Sequence, residues 1–157
     1  VGFSGSWLAG CLFWGWLRAH PLLHLPVEAF ALPLALTGLN SRWRLAAAFY
    51  LSSLLGTACT DLMMAVTGVM QAWPTVVMAP IDLAPRLLHQ AGLQLLHPLP
   101  MLLLALAAVL ILGLGRRWSQ MGSTWSMAGA VLVTTVWVDG LFLITALLQP
   151  GLSGLIE

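Results

Sequence analysis

Long stretches of this chain run almost without charge, and that pattern decides most of what it can become. Five such runs span residues 3–17, 22–39, 45–70, 99–114 and 124–149. They are separated by prolines, glycines and all six arginines. A backbone placed in hydrocarbon has no water to bond, so each run must close its own hydrogen bonds as a helix. About 20 residues cross a bilayer core. The predicted fold is therefore all-α: a polytopic transmembrane helix bundle of about five spans, forming a single transmembrane domain over residues 1–157. The first run is short for a span, and the chain opens on Val1 without a charged leader. Both features predict that an N-terminal part precedes it.

Composition excludes the alternatives. The chain is 60% apolar and 7% charged, with six basic residues, all arginine, against five acids. Soluble domains carry about 25% charged residues, so a soluble enzyme or binding module is ruled out. Disorder requires low hydrophobicity and high net charge, and neither is present. A net charge of +1 provides no basic footprint for nucleic acid. No GxGxxG, P-loop, CxxC, HExxH or GxSxG motif occurs, and the expectation is that the protein is not an enzyme.

The longest connection, residues 71–99, is broken by Pro74, Pro80 and Pro85. Within it Arg86, Gln90, Gln94 and His97 recur at helical spacing opposite Leu88, Ala91 and Leu95. That alternation predicts an amphipathic helix over 86–97, lying in the membrane interface on the non-cytoplasmic side. With spans alternating, Arg42, Arg44, Arg116 and Arg117 fall on one face, and Arg18 and Arg86 on the other. The bias of basic residues toward the cytoplasm puts the first group there and the C-terminus on the lumenal side.

Two strings share the form G-L-x-x-R-W: residues 38–43 and 113–118. Each follows a span opened by His and Pro and precedes a span with T-x-x-x-D, Thr57 to Asp61 and Thr135 to Asp139. One reading is a parallel two-hairpin repeat about an axis along the membrane normal. The other is that Arg-Trp at a helix end is an interfacial anchor.

Carboxylates at bilayer depth are costly and mark candidate sites. At 1.5 Å per residue, Asp61 and Asp139 lie roughly 14–15 Å from the same face, and Glu28 about 9 Å from it. Asp61 and Asp139 could share a proton or hold a cation. Alternatively, each could bond along its own helix to Thr57 or Thr135, one turn away. His24 and Glu28, four apart, could hold a metal or a pigment magnesium with Glu28 behind the imidazole. His20 and His97 gather on the same side, and Trp14 belongs to a Trp-rich first span. A metal-dependent membrane enzyme using His20, His24, Glu28 and His97 is a further alternative. Small residues at four-residue spacing, Ser52–Gly56–Thr60 and Ser126–Ala130–Thr134, predict that the third and fifth spans pack on each other. Cys11 and Cys59, both within apolar runs, read as packing residues.

The strings GSWLAGCLFWGWLR (5–18), HLPVEAFALP (24–33), FYLSSLLGTACTDL (49–62) and VDGLF (138–142) resemble those of an uncharacterised family of small integral-membrane proteins from cyanobacteria. Two positions depart from the family pattern: Ala19-His20, where an aromatic and an acid are usual, and Met63-Met64, where aromatics are usual. The resemblance implies a thylakoid setting and a photosynthesis-linked role. It points to an accessory subunit or assembly factor of a photosystem or related complex, with membrane lipid and other membrane subunits as partners. Chlorophyll a and carotenoid are the cofactors so implied, near His24, His20, His97, Glu28 and Trp14. The residue-level alternative is a small ion- or proton-coupled transporter using Asp61 and Asp139.

Overall fold

The computed structural model describes residues 2–149, and those residues are helical nearly throughout, with no strand among them. Helix α1 (Gly2–Leu12) passes into a wide π turn at Phe13–Leu17 and reverses at Arg18. The return segment, Pro21–Gly38, is assembled from pieces. A 3-10 turn at Pro21–Leu23 leads into α2 (His24–Glu28), a second 3-10 turn at Ala29–Ala31, and α3 (Leu32–Gly38). Pro33 accounts for the second break, because its ring lacks an N–H and collides with the carbonyl four residues earlier. Tyr50 repairs the gap from a neighbouring helix: Ala31 N–H donates to its hydroxyl at 3.1 Å, and that hydroxyl donates to the Glu28 carbonyl.

Helix α4 (Arg44–Val66) crosses next. It stops short of the expected residue 70: Thr67 folds its hydroxyl back onto the Met63 carbonyl, and Gly68 adopts φ 81°. This left-handed turn is open to glycine because no Cβ intervenes. The chain then forms α5 (Val69–Val77), a helix the sequence reading placed in span and loop, and α6 (Ala84–Gln94). Helix α6 is the amphipathic helix expected from the pattern. Leu88 and Ala91 are buried while Arg86, Gln90 and Gln94 are exposed. It ends at Gln94, so His97 lies beyond it, in the extended residue before α7 (Pro98–Ser119). Helix α8 (Ser123–Leu148) closes the described chain. Pro150-Gly151, expected to stop the last span, lie outside the described residues.

Four helical segments are long and apolar enough to cross a membrane: Pro21–Gly38, Arg44–Val66, Pro98–Ser119 and Ser123–Leu148. The sequence suggested about five; α1 with its π turn is shorter than these. Packing is inverted relative to a soluble protein. Buried positions are dominated by small residues such as Ala9, Ala47, Ala48 and Ala128, whereas Leu102, Leu106, Val109 and Leu110 of α7 point outward at 54–66% exposure. Lipid offers no hydrophobic drive between helices, so close approach of small residues holds them together.

The tightest approaches are made by glycine. Helices α7 and α8 cross at Gly115 and Gly129, where a Cβ on Gly129 would lie 2.3 Å from the Gly115 carbonyl oxygen. Helices α4 and α8 meet at Gly56, where a Cβ would lie 2.6 Å from Thr135 Oγ1. The expected third-to-fifth span packing is thus present, and Gly56 and Thr60 of the expected row serve it. The α8 row is different, however: Ala130 and Thr134 are exposed, and Thr135 faces α4 instead.

Gly56 meets Thr135 while Thr60 meets Asp139, so α4 and α8 run in the same direction. Each is the second arm of a hairpin. This parallel arrangement places Arg42, Arg44, Arg116 and Arg117 at one end of the bundle and α5–α6 at the other. There α6 packs on the protruding end of α8, with Val76, Leu88 and Ala146 as a small core.

Candidate functional site

Helix α4 carries polar groups on two faces at one level, and consecutive residues serve different partners. Asp61 reaches α2, where its Oδ1 lies 3.0 Å from His24 Nδ1. The other ring nitrogen, Nε2, lies 3.5 Å from Glu28 Oε1, one turn along the same segment. Thr57 returns from α4 to donate to Glu28 Oε2 at 2.6 Å. Phe13, from the π turn, stacks on the imidazole with ring centroids 4.3 Å apart. The cluster therefore joins three stretches of chain and leaves none of its carboxylates facing acyl chains alone. An imidazole satisfies carboxylates at both nitrogens only as a double donor.

On a second face of α4, about 100° round from Asp61, Thr60 donates to Asp139 Oδ2 at 2.6 Å. No cationic side chain pairs with Asp139 among the described residues. The carboxylate lines a cavity of about 290 Å³, floored by α8, flanked by α4 and α7 and capped by α5 and α6. Its other walls are almost wholly apolar, with Thr60, Thr67, Thr135 and Cys59 as the small exceptions.

These contacts revise the expected pairings. The carboxylates bond across helices, not along them: Thr57 serves Glu28, Asp61 takes His24, and Thr135 bonds back to the Val131 carbonyl at 3.2 Å. Asp61 sits roughly 7.5 Å from the end of α4, nearer than expected because the helix stops early. His20 and His97 are exposed and not gathered around His24. Trp14 stands edge-on to Trp73 with centroids 6.1 Å apart, and the ring on His24 is Phe13. Among the described residues no group of three or more His, Cys, Asp and Glu is arranged to hold a metal. Both nitrogens of His24 face carboxylates, so a pigment magnesium would have to displace one of them.

Three participants escaped the sequence reading. Thr60 had been assigned to a packing row, yet it is the donor for Asp139. Tyr50 is the only tyrosine, and a lone hydroxyl opposite a proline-broken helix was the available signal. Phe13 carried none, being one aromatic among several.

An all-helical chain with four membrane-length segments and an internal acid–base cluster defines a polytopic helical membrane protein. The chain belongs to the DUF3120 family, described as a protein of unknown function, whose family model matches residues 1–147. No curated protein and no solved structure matches it.

Proposed function

We propose that the protein is a small proton-coupled membrane carrier with Asp61 and Asp139 as its coupling carboxylates. One observation carries this reading: adjacent residues of α4 tie it to two different helices through carboxylates, Asp61 to His24 of α2 and Thr60 to Asp139 of α8. Protonating Asp61 removes the charge that holds the imidazole, and protonating Asp139 weakens the charge-assisted bond from Thr60. Proton occupancy is thereby linked to how α4 sits between its neighbours. Ionisable groups at this depth commonly mark ion pathways. The equivalent T-x-x-x-D positions on parallel hairpins also suit a site at a repeat interface.

The test is reconstitution into liposomes enclosing a pH dye, with an outward proton gradient imposed. Addition of Na+, K+ or benzyltrimethylammonium outside should dissipate the gradient faster than in protein-free liposomes, for at least one of them. Asp61→Asn and Asp139→Asn should each abolish that cation-dependent release. Equal rates with and without protein for every cation would overturn the proposal.

A second reading is supported by the exposed tryptophans of the first helical stretch, Trp7 at 63%, Trp14 at 41% and Trp16 at 78%. Here the protein is an accessory subunit or assembly factor of a photosynthetic complex in the cyanobacterial thylakoid. Those aromatic side chains would lie against another subunit, chlorophyll or carotenoid. Purification in mild detergent from thylakoids tests it: co-migration with a pigmented complex supports this reading, and migration alone and colourless removes it.

A further inference from the structure

We propose that the cavity beside Asp139 is a binding site for a small apolar organic cation. The proposal rests on the carrier reading above for its physiological sense, and it names the substrate class. About 290 Å³ lies at the small end of ligand pockets, which run roughly 300–1,000 Å³. The occupant is therefore a compact molecule of one or two rings, not a large cofactor.

The walls specify its chemistry. Asp139 is the sole ionisable carboxylate lining the cavity, and Thr60 satisfies only one of its oxygens. With no cationic side chain paired to it among the described residues, the charge left over suits a positively charged ligand head. Trp73 forms part of the wall, and its indole N–H donates to the Arg18 carbonyl at 3.1 Å, which fixes the ring in place. An aromatic face attracts an organic cation through its quadrupole. Met63 and Met64 line the same space, and thioether side chains adapt to ligands of differing shape. An uncharged acyl chain would fill the apolar walls but would leave Asp139 unanswered. A hydrated metal ion would answer Asp139 but would leave the apolar walls wetted. A cation carried on an apolar body satisfies both.

Cys59 lines the cavity and reports on its occupancy. The experiment uses the purified protein in detergent, in a Cys11→Ala background, and follows maleimide labelling of Cys59 by intact mass. Benzyltrimethylammonium is the probe, and neopentylbenzene, the same shape without charge, is its control. The charged probe should slow Cys59 labelling in a saturable way, and neopentylbenzene should protect roughly tenfold less well, as expected for losing one charge-assisted contact. Asp139→Asn should erase the difference between the two probes, and Asp139→Glu should restore it. Ala108→Phe, which narrows the cavity from α7 while keeping the carboxylate, should remove protection by both.

Equal protection by both probes in the wild type would show an apolar cleft with no cation preference and overturn the proposal, as would a charge preference that survives Asp139→Asn. Should Asp139→Asn not fold, protection that persists in Ala108→Phe overturns it independently. Because binding is read without a membrane gradient, selective protection without any transport would remove the carrier reading and leave the site. Transport without selective protection would do the reverse.

Discussion

His24 Nδ1 lies 3.0 Å from Asp61 Oδ1, joining residues 37 apart in the chain across two helical segments. Glu28 flanks the other nitrogen, so His24→Ala removes the cationic partner of two carboxylates and leaves Glu28 with Thr57 alone, whereas Asp61→Ala leaves the imidazole with Glu28. The first variant should therefore be the more destabilised. The two substitutions should also be non-additive, with a coupling of about 0.5–3 kcal/mol, as for residues sharing one network. Thermal unfolding in detergent of the two single variants and the double variant measures it. Additive losses would mean that the pair is not coupled.

Gly56 and Gly113 make a matched comparison of helical glycines. A Cβ on Gly56 meets Thr135 Oγ1 at 2.6 Å, while one on Gly113 meets nothing within 4 Å. Gly56→Ala should cost about 1–3 kcal/mol by forcing α4 away from α8. Gly113→Ala should leave stability unchanged or raise it by up to about 1 kcal/mol, the helix-propensity difference. Melting temperatures of the two variants should move apart, and a shared direction would contradict the packing described.

Tyr50→Phe isolates the repair of the proline break. It removes the acceptor of Ala31 N–H and the donor to the Glu28 carbonyl, leaving half-buried backbone groups without these partners at a cost of about 1 kcal/mol. Amide exchange at Ala31 should accelerate in Tyr50→Phe ahead of exchange in α8. Unchanged protection there would show that the hydroxyl is not the partner that matters.

The parallel hairpins fix which exposed positions share a membrane face. In a background without Cys11 and Cys59, Ser41→Cys and Gln120→Cys should react with an impermeant maleimide from the same side. Gln94→Cys should react from the opposite one. Labelling of Ser41→Cys and Gln120→Cys from different sides would break the topology.

Much of the architecture was readable because it depends on local sums. Charge-free runs set the number of membrane-length segments to within one, and the polar stripe of α6 stood out against its apolar neighbours. The candidate site was only half readable. Its three carboxylates and His24 announced themselves by being polar within apolar runs, and Gly56–Thr60 correctly marked a contact face. Their partners did not follow, since the nearest polar residue along the helix was not the one that bonds: Thr57 bypasses Asp61 for Glu28, and Thr60 takes Asp139, 79 residues away.

The solvent of this protein and its helical character were determined by sequence alone, because a chain so poor in charge has only lipid to dissolve in and only helices with which to satisfy its backbone there. Which face of each helix turns inward was decided by tertiary structure. In a water-soluble helix an apolar stripe announces the buried side. Here α4, α7 and α8 carry no dominant apolar stripe, and rotation about their axes is set by where glycines allow backbones to touch and where carboxylates find donors. Those are properties of pairs of helices, which is why Asp61 faces His24 and Asp139 faces Thr60.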